Sequence, residues 1–257
     1  MAQTAQIVTI PCLSDNYAFL LHDPASGRTA LIDAPEAAPI LAELQTRGWA
    51  LSDILLTHHH WDHVEGLAEL RTATGAQVWG AAADVERLPP LDHQVAEGDR
   101  VIIGDLTGTV IDVSGHTIGH IAFHFPAAKA VFTADSLMAL GCGRLFEGSP
   151  AQMWESLQKL AALPPDTLVC SGHEYTAANA KFALTIEPEN ADLISRVQQI
   201  ETARAANTPT VPSSLADELA TNPFLRAHLD EVKTAIGISG AADVDVFTEI
   251  RARKDRF

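Results

Sequence analysis

Thr57-His58-His59-His60-Trp61-Asp62-His63 decides how this sequence is read. It follows directly on Ile54-Leu55-Leu56, a short apolar run that reads as a buried strand. Such a crowd of imidazoles and a carboxylate would be costly to bury as separate groups. Where a strand end passes into a helix, the side chains can instead point inward together. Imidazole and carboxylate are the usual donors for zinc, iron and manganese. In an extended segment His58 and His60 share a face and His59 points the other way. The spacing therefore predicts His58 and His60 on one metal and Asp62 and His63 reaching a second. His59 is left for a supporting hydrogen bond or packing.

Further donors arrive singly downstream, each just after an apolar strand. His116 sits in Val113-Ser114-Gly115-His116-Thr117, where small residues let the backbone approach a site closely. Asp135 closes Ala130-Val131-Phe132-Thr133-Ala134-Asp135, and its two oxygens can bridge two cations. His173 lies in Cys170-Ser171-Gly172-His173-Glu174-Tyr175. The expected sets are His58, His60, His116 and Asp135 for one ion and Asp62, His63, Asp135 and His173 for the other. Each ion keeps an open position for a shared water, which would lose a proton near neutral pH. A bridging hydroxide is then the nucleophile, and no serine or cysteine is needed. His120, His22, His93, His124 and His228 are read as structural or exposed.

Around this motif the first third alternates strands and helices. Ile7–Ile10, Tyr17–Leu21 and Thr29–Ile32 read as strands, and Pro35–Arg47 reads as a helix stopped by Gly48. The middle is strand-rich: Gln77–Trp79, Val101–Ile103, Thr107–Val113, Ile121–Phe125 and Ala130–Phe132. Ser149-Pro150 is an N-cap with a first-turn proline, and its helix should run to about Leu163. Thr167–Cys170 is one more short strand. Beyond His173 no strand is expected; Ala177–Ile186 and Ala191–Ala206 read as helices. The boundary falls near residue 172, giving a catalytic domain over 1–172 and a helical substrate-binding domain over 173–257.

A length of 257 residues suits one large domain, or a core domain with a smaller second one. The net charge of −16, from 17 Lys+Arg against 33 Asp+Glu, disfavours nucleic acid and anionic membrane surfaces. Three cysteines, Cys12, Cys142 and Cys170, are not a disulfide framework. With no signal peptide and no apolar run long enough to cross a bilayer, a cytoplasmic monomer is expected.

Thr57 to His63, with His116, Asp135 and His173 in this order, resembles the metallo-β-lactamase superfamily. The resemblance implies an α+β fold, an αββα sandwich of two mixed sheets, here with a C-terminal all-helical domain. More narrowly, the chain is similar over essentially its full length to the glyoxalase II (hydroxyacylglutathione hydrolase) family. The segments that carry this are Leu13-Ser14-Asp15-Asn16-Tyr17, Gly141-Cys142-Gly143-Arg144-Leu145-Phe146-Glu147-Gly148 and Gly172-His173-Glu174-Tyr175-Thr176. Thr221-Asn222-Pro223-Phe224-Leu225-Arg226 and Arg251-Ala252-Arg253-Lys254-Asp255 complete them. The resemblance implies hydrolysis of S-(2-hydroxyacyl)glutathione, chiefly S-D-lactoylglutathione, to D-lactate and glutathione. It implies two divalent ions, Zn2+ first, with Fe or Mn also suited. It places Arg251 and Lys254 on the glutathione carboxylate end, Tyr175 on the peptide, and Arg144 and Phe146 along the same groove. The family often has lysine where Arg144 stands and tyrosine where Phe146 stands. The alternative within the superfamily is a glutathione persulfide dioxygenase with a single iron.

Overall fold

The computed structural model describes residues 4–257. They pack as two compact units. One runs to Val113 and resumes over Ile118–Ala134; the other is Ser114–Thr117 with Asp135–Phe257.

The first unit is built on two sheets. β1 (Gln6–Cys12), β2 (Asn16–His22) and β3 (Thr29–Ile32) are antiparallel neighbours. α1 (Ala37–Arg47) ends on Gly48, whose φ of 67° is the left-handed stop the sequence predicts. The chain then returns so that β4 (Leu51–Leu55) lies parallel to β3. After α2 (Trp61–Val64) and α3 (Leu67–Thr74), β5 (Gln77–Ala81) and β6 (His93–Val95) extend the sheet in parallel. Side-chain alternation sends Ala18, Leu20, Leu31, Ile54 and Val78 into one core with Ile40, Leu44, Leu67 and Leu70 of the helices. Phe19 faces the other way, its ring 5.7 Å from that of Phe132 on the second sheet. In this unit that sheet is an antiparallel run of β7 (Arg100–Ile103), β8 (Leu106–Asp112), β9 (Ile121–Phe125) and β10 (Ala130–Ala134).

The second unit opens with a tight hairpin of β11 (Leu137–Met138) and β12 (Gly141–Cys142). α4 (Pro150–Ala161) starts on a capping box in which Ser149 and Gln152 satisfy each other's backbone N–H groups. β13 (Leu168–Ser171) follows, then α5 (Thr176–Ile186) and α6 (Ala191–Ala205). β14 (Ser213–Ser214), α7 (Leu215–Thr221), α8 (Asp230–Ala235) and α9 (Asp243–Arg256) complete the chain. Leu140, Ala180, Ala183, Leu193 and Ile200 form one core, while Phe224 lies 6.0 Å from Phe182 and 5.9 Å from Phe247.

Some details depart from the sequence reading. A strand does follow His173: β14 pairs antiparallel with β13, Val169 against Ser213. It is two residues of serine, with no apolar alternation to announce it. α3 and β6 were not expected either, and α4 ends at Ala161 rather than near Leu163. Residues 135–172 precede the strand-to-helix transition yet pack with the helical part. Among the described residues, no helix is long and apolar enough to cross a membrane.

Candidate metal centre

β3 ends at Asp33, which is buried in a left-handed conformation, φ 57°. Its carboxylate accepts from the backbone N–H and the hydroxyl of Thr57, both at 2.9 Å, and from Nδ1–H of His63 at 2.8 Å. One acid therefore ties the start of the histidine segment to its end. With Nδ1–H spent on Asp33, His63 presents Nε2 as its donor atom. Thr57 gives its proton to Asp33, so its oxygen can accept Nδ1–H of His58 at 3.0 Å. That leaves Nε2 of His58, fully buried, as a second donor. The His60 and His63 rings lie 4.8 and 4.2 Å from that of His58. Asp33, His58 and His63 also have ligand atoms within 4.8 Å of one another. We assign Asp33 a supporting role, because both its oxygens already accept protons.

His59 points away from this group, as strand parity requires, and bonds Asp84 at 2.8 Å through Nδ1. Asp84 is buried and also paired with Arg87. Asp62 is fixed by Asn16, whose side-chain amide reaches its carbonyl at 3.1 Å and its carboxylate at 3.0 Å. His120 stacks on His58, ring centroids 4.6 Å apart and 11° from parallel.

The second unit holds His116, Asp135 and His173. Nδ1–H of His116 donates to the carbonyl of Arg144 at 2.8 Å, so Nε2 is again the atom the ring offers to a ligand. Nε2 of His116 and Nε2 of His173 flank the same oxygen of Asp135, Oδ2, at 3.5 and 3.2 Å. Two imidazole nitrogens converging on one carboxylate oxygen is the spacing of groups that share cations, and this donor chemistry fits divalent ions. Gly143 permits the approach: a Cβ there would lie 1.9 Å from the Asp135 carbonyl and 3.0 Å from the His116 ring. The rings of Phe146 and Tyr175 lie 5.3 and 4.7 Å from His116 and His173, and both residues are exposed.

The basic residues of α9 behave differently from each other. Lys254 is half-buried, over the rings of Phe182 and Phe257 at 5.2 and 5.3 Å, with Nζ 3.4 Å from the carbonyl of Ala178. Burial lowers its pKa, and the neighbouring charges of Arg251 and Arg144 lower it further. Arg251 is buried, donating to the carbonyl of Cys142 at 2.9 Å and to Asp255 at 2.8 Å. Arg144 is exposed. No cysteine is poised as a nucleophile: burial pushes the thiols of Cys12 and Cys142 up to about 12 and about 11.

Asp33, Asp84 and Asn16 are supporting residues that the sequence reading missed. Asp33 carried a signal, an acid closing an apolar strand, like Asp135. Nothing local marks the long-range partners of Asn16 and Asp84.

Residues 15–173 match the metallo-beta-lactamase superfamily, and residues 174–257 match the hydroxyacylglutathione hydrolase C-terminus. A hydroxyacylglutathione hydrolase of Jannaschia sp. (strain CCS1) is 71% identical over 252 residues, covering 98% of each chain. Among solved structures, the BLEG-1 B3 metallo-beta-lactamase superposes with TM-score 0.66 at 21% identity, covering 86% of this chain and 99% of that one. TTHA1623 in a di-iron-bound form gives TM-score 0.57 at 31% identity, covering 65% and 91%. The fold is thus the αββα sandwich of that superfamily with a C-terminal helical region.

Proposed function

The chain belongs to the hydroxyacylglutathione hydrolase family of the metallo-β-lactamase superfamily, and from that premise we propose that it hydrolyses S-(2-hydroxyacyl)glutathione, chiefly S-D-lactoylglutathione, to a 2-hydroxy acid and glutathione. The observation that carries the chemistry is the convergence of His116 and His173 on Oδ2 of Asp135. In this reading His58, His60 and His116 would hold one ion and Asp62, His63 and His173 the other, with Asp135 shared. The two-ion reading is supported by the donor types and by the di-iron form of TTHA1623. Zinc is the ion proposed, with iron and manganese as the alternatives that the same donors accept. The proposed division of labour is catalysis by residues 1–172 and substrate binding by 173–257, in a cytoplasmic monomer.

When bound, such ions supply an acidified water and positive charge opposite the carbonyl oxygen. The chain's own part is to aim the donors and hold the substrate. Asp33, Thr57 and the Arg144 carbonyl keep Nδ1 of the ligating rings protonated and Nε2 available. Lys254 and Arg144, with Arg251 behind them, offer positive charge to the glutathione carboxylates, and Tyr175 and Phe146 offer ring faces and a hydroxyl beside His173 and His116. Holding the tripeptide there positions the thioester without spending the reacting groups on binding.

The test is turnover of S-D-lactoylglutathione beside glutathione persulfide and RNA, with metal analysis of the same active preparation. Thioester hydrolysis with close to two ions per chain is expected. Persulfide oxidation with one iron would replace this reading with the dioxygenase one.

A further inference from the structure

Neither buried Glu218 nor the stretch Thr221-Asn222-Pro223-Phe224-Leu225-Arg226 takes part in the chemistry above, yet both close on the β11–β12 hairpin. Glu218 accepts the backbone N–H of Leu140 at 2.8 Å, the Ser213 hydroxyl at 2.7 Å and the Asn222 amide at 3.0 Å, and it pairs with Arg196. The Asn222 amide also reaches the carbonyls of Met138 at 3.1 Å and Gly141 at 3.0 Å, sharing its two protons among three acceptors. Asn179 of α5 donates to the Ala139 carbonyl at 3.0 Å, and Arg251 of α9 to that of Cys142 at 2.9 Å. Each residue from Met138 to Cys142 therefore has a backbone group held by a buried side chain of the helical part.

The hairpin needs that support. Two strands of two residues cannot hold themselves. Leu140 at the tip is left-handed, φ 56°, a conformation that persists when its surroundings over-determine it. Gly141 lets Asn179 in: a Cβ there would lie 2.5 Å from the amide nitrogen. One arm of the hairpin leads from Asp135, and the other leads to Arg144. The arms are joined by Gly143 N–H donating to the Ser136 carbonyl at 3.0 Å.

We propose that Asn179, Glu218 and Asn222 are positioning residues that set, through this hairpin, both the Asp135 carboxylate and the Arg144 segment. Metal retention and glutathione affinity then depend on one buried network. This rests on reading Asp135 as a metal ligand and Arg144 as a glutathione contact.

The test compares the parent with Asn222→Ala and with Asn179→Asp, which keeps the shape but cannot donate to Ala139. Val232→Ala, at the one buried position of α8, is the control for simple loss of stability. The first readout is the rate of metal loss to a chelator; the second is the dissociation constant of glutathione with the metal-loaded protein. Both hairpin variants should lose metal roughly tenfold or more faster, the scale for partners of metal ligands, and bind glutathione several-fold more weakly. The control should change neither at equal loss of Tm. If Asn222→Ala does not fold, Asn179→Asp, which removes one bond, carries the comparison. Hairpin variants with a lower Tm but parental metal loss and glutathione affinity would reduce the network to packing and overturn the proposal. A parent that holds no metal or no glutathione would overturn the functional reading itself, and the proposal with it.

Discussion

At the residue scale, the site is a matter of which nitrogen each ring offers. His58, His63 and His116 all have Nδ1 bonded to the protein, to Thr57, Asp33 and the Arg144 carbonyl. His59 uses the same atom on Asp84, outside the donor group. That contrast predicts unequal mutants. Asp135→Asn replaces the charge that two cations would share and should nearly abolish kcat for S-D-lactoylglutathione. His59→Ala removes a supporting bond and should lower kcat far less, within about the 10–100-fold that outer partners contribute. Kinetics on folded variants in the reverse order would overturn the parity assignment. The cluster of histidines and the outward turn of His59 were legible because Thr57–His63 packs the imidazoles into one stretch and strand parity separates His59 from its neighbours. Asn16, Asp33 and Asp84 were not, because a hydrogen bond from Asn16 to Asp62 or from His63 to Asp33 spans tens of residues and leaves no local pattern.

At the element scale, the structure follows the sequence where local chemistry is strong. Ser149-Pro150 announced α4, and the capping box is there. Ser149→Ala should cost about 1 kcal/mol by denaturant titration, the usual worth of an N-cap, with kcat and KM unchanged. Gly48 stops α1 as expected. β6, β14 and α3 escaped because they are short and owe their form to neighbours: β6 to β5, β14 to β13. α9 shows the limit of spacing alone. Arg251 and Lys254, three apart, suggest an equal pair, but Arg251 turns inward to Cys142 and Asp255 while Lys254 stays half-buried. Arg251→Ala should therefore raise KM and also lower Tm, since it removes the buried guanidinium's bonds to the Cys142 carbonyl and Asp255, a loss of about 1–3 kcal/mol. Lys254→Ala should raise KM with little change in Tm. Equal melting of the two variants would contradict the inward role of Arg251.

At the scale of the whole molecule, a chain of net charge −16 must hold an anionic peptide. The average field repels it, so attraction has to come from a local group, and the proposed one is Arg144, Arg251 and Lys254. Crowding these cations has a consequence that titration can read. Burial first, then Arg251 and Arg144, lowers the Lys254 pKa below its ordinary 10.5. Only the protonated amine attracts a carboxylate. Affinity should therefore be constant below the lowered pKa and fall as pH rises through it, earlier than for a solvated lysine. A non-hydrolysable S-alkyl glutathione separates this from the pH dependence of the chemistry. Its dissociation constant should rise on the alkaline side in the parent. In Lys254→Arg the rise due to this residue should vanish, because a guanidinium does not deprotonate in this range. Salt gives the independent check. Screening at about 10 Å in 0.1 M salt acts on the attraction that Lys254 supplies and on the repulsion that the rest of the chain supplies. Salt should weaken binding clearly in the parent. In Lys254→Ala, where repulsion has lost part of its opponent, the weakening should be smaller. Identical salt slopes would mean that Lys254 does not meet the peptide's carboxylates.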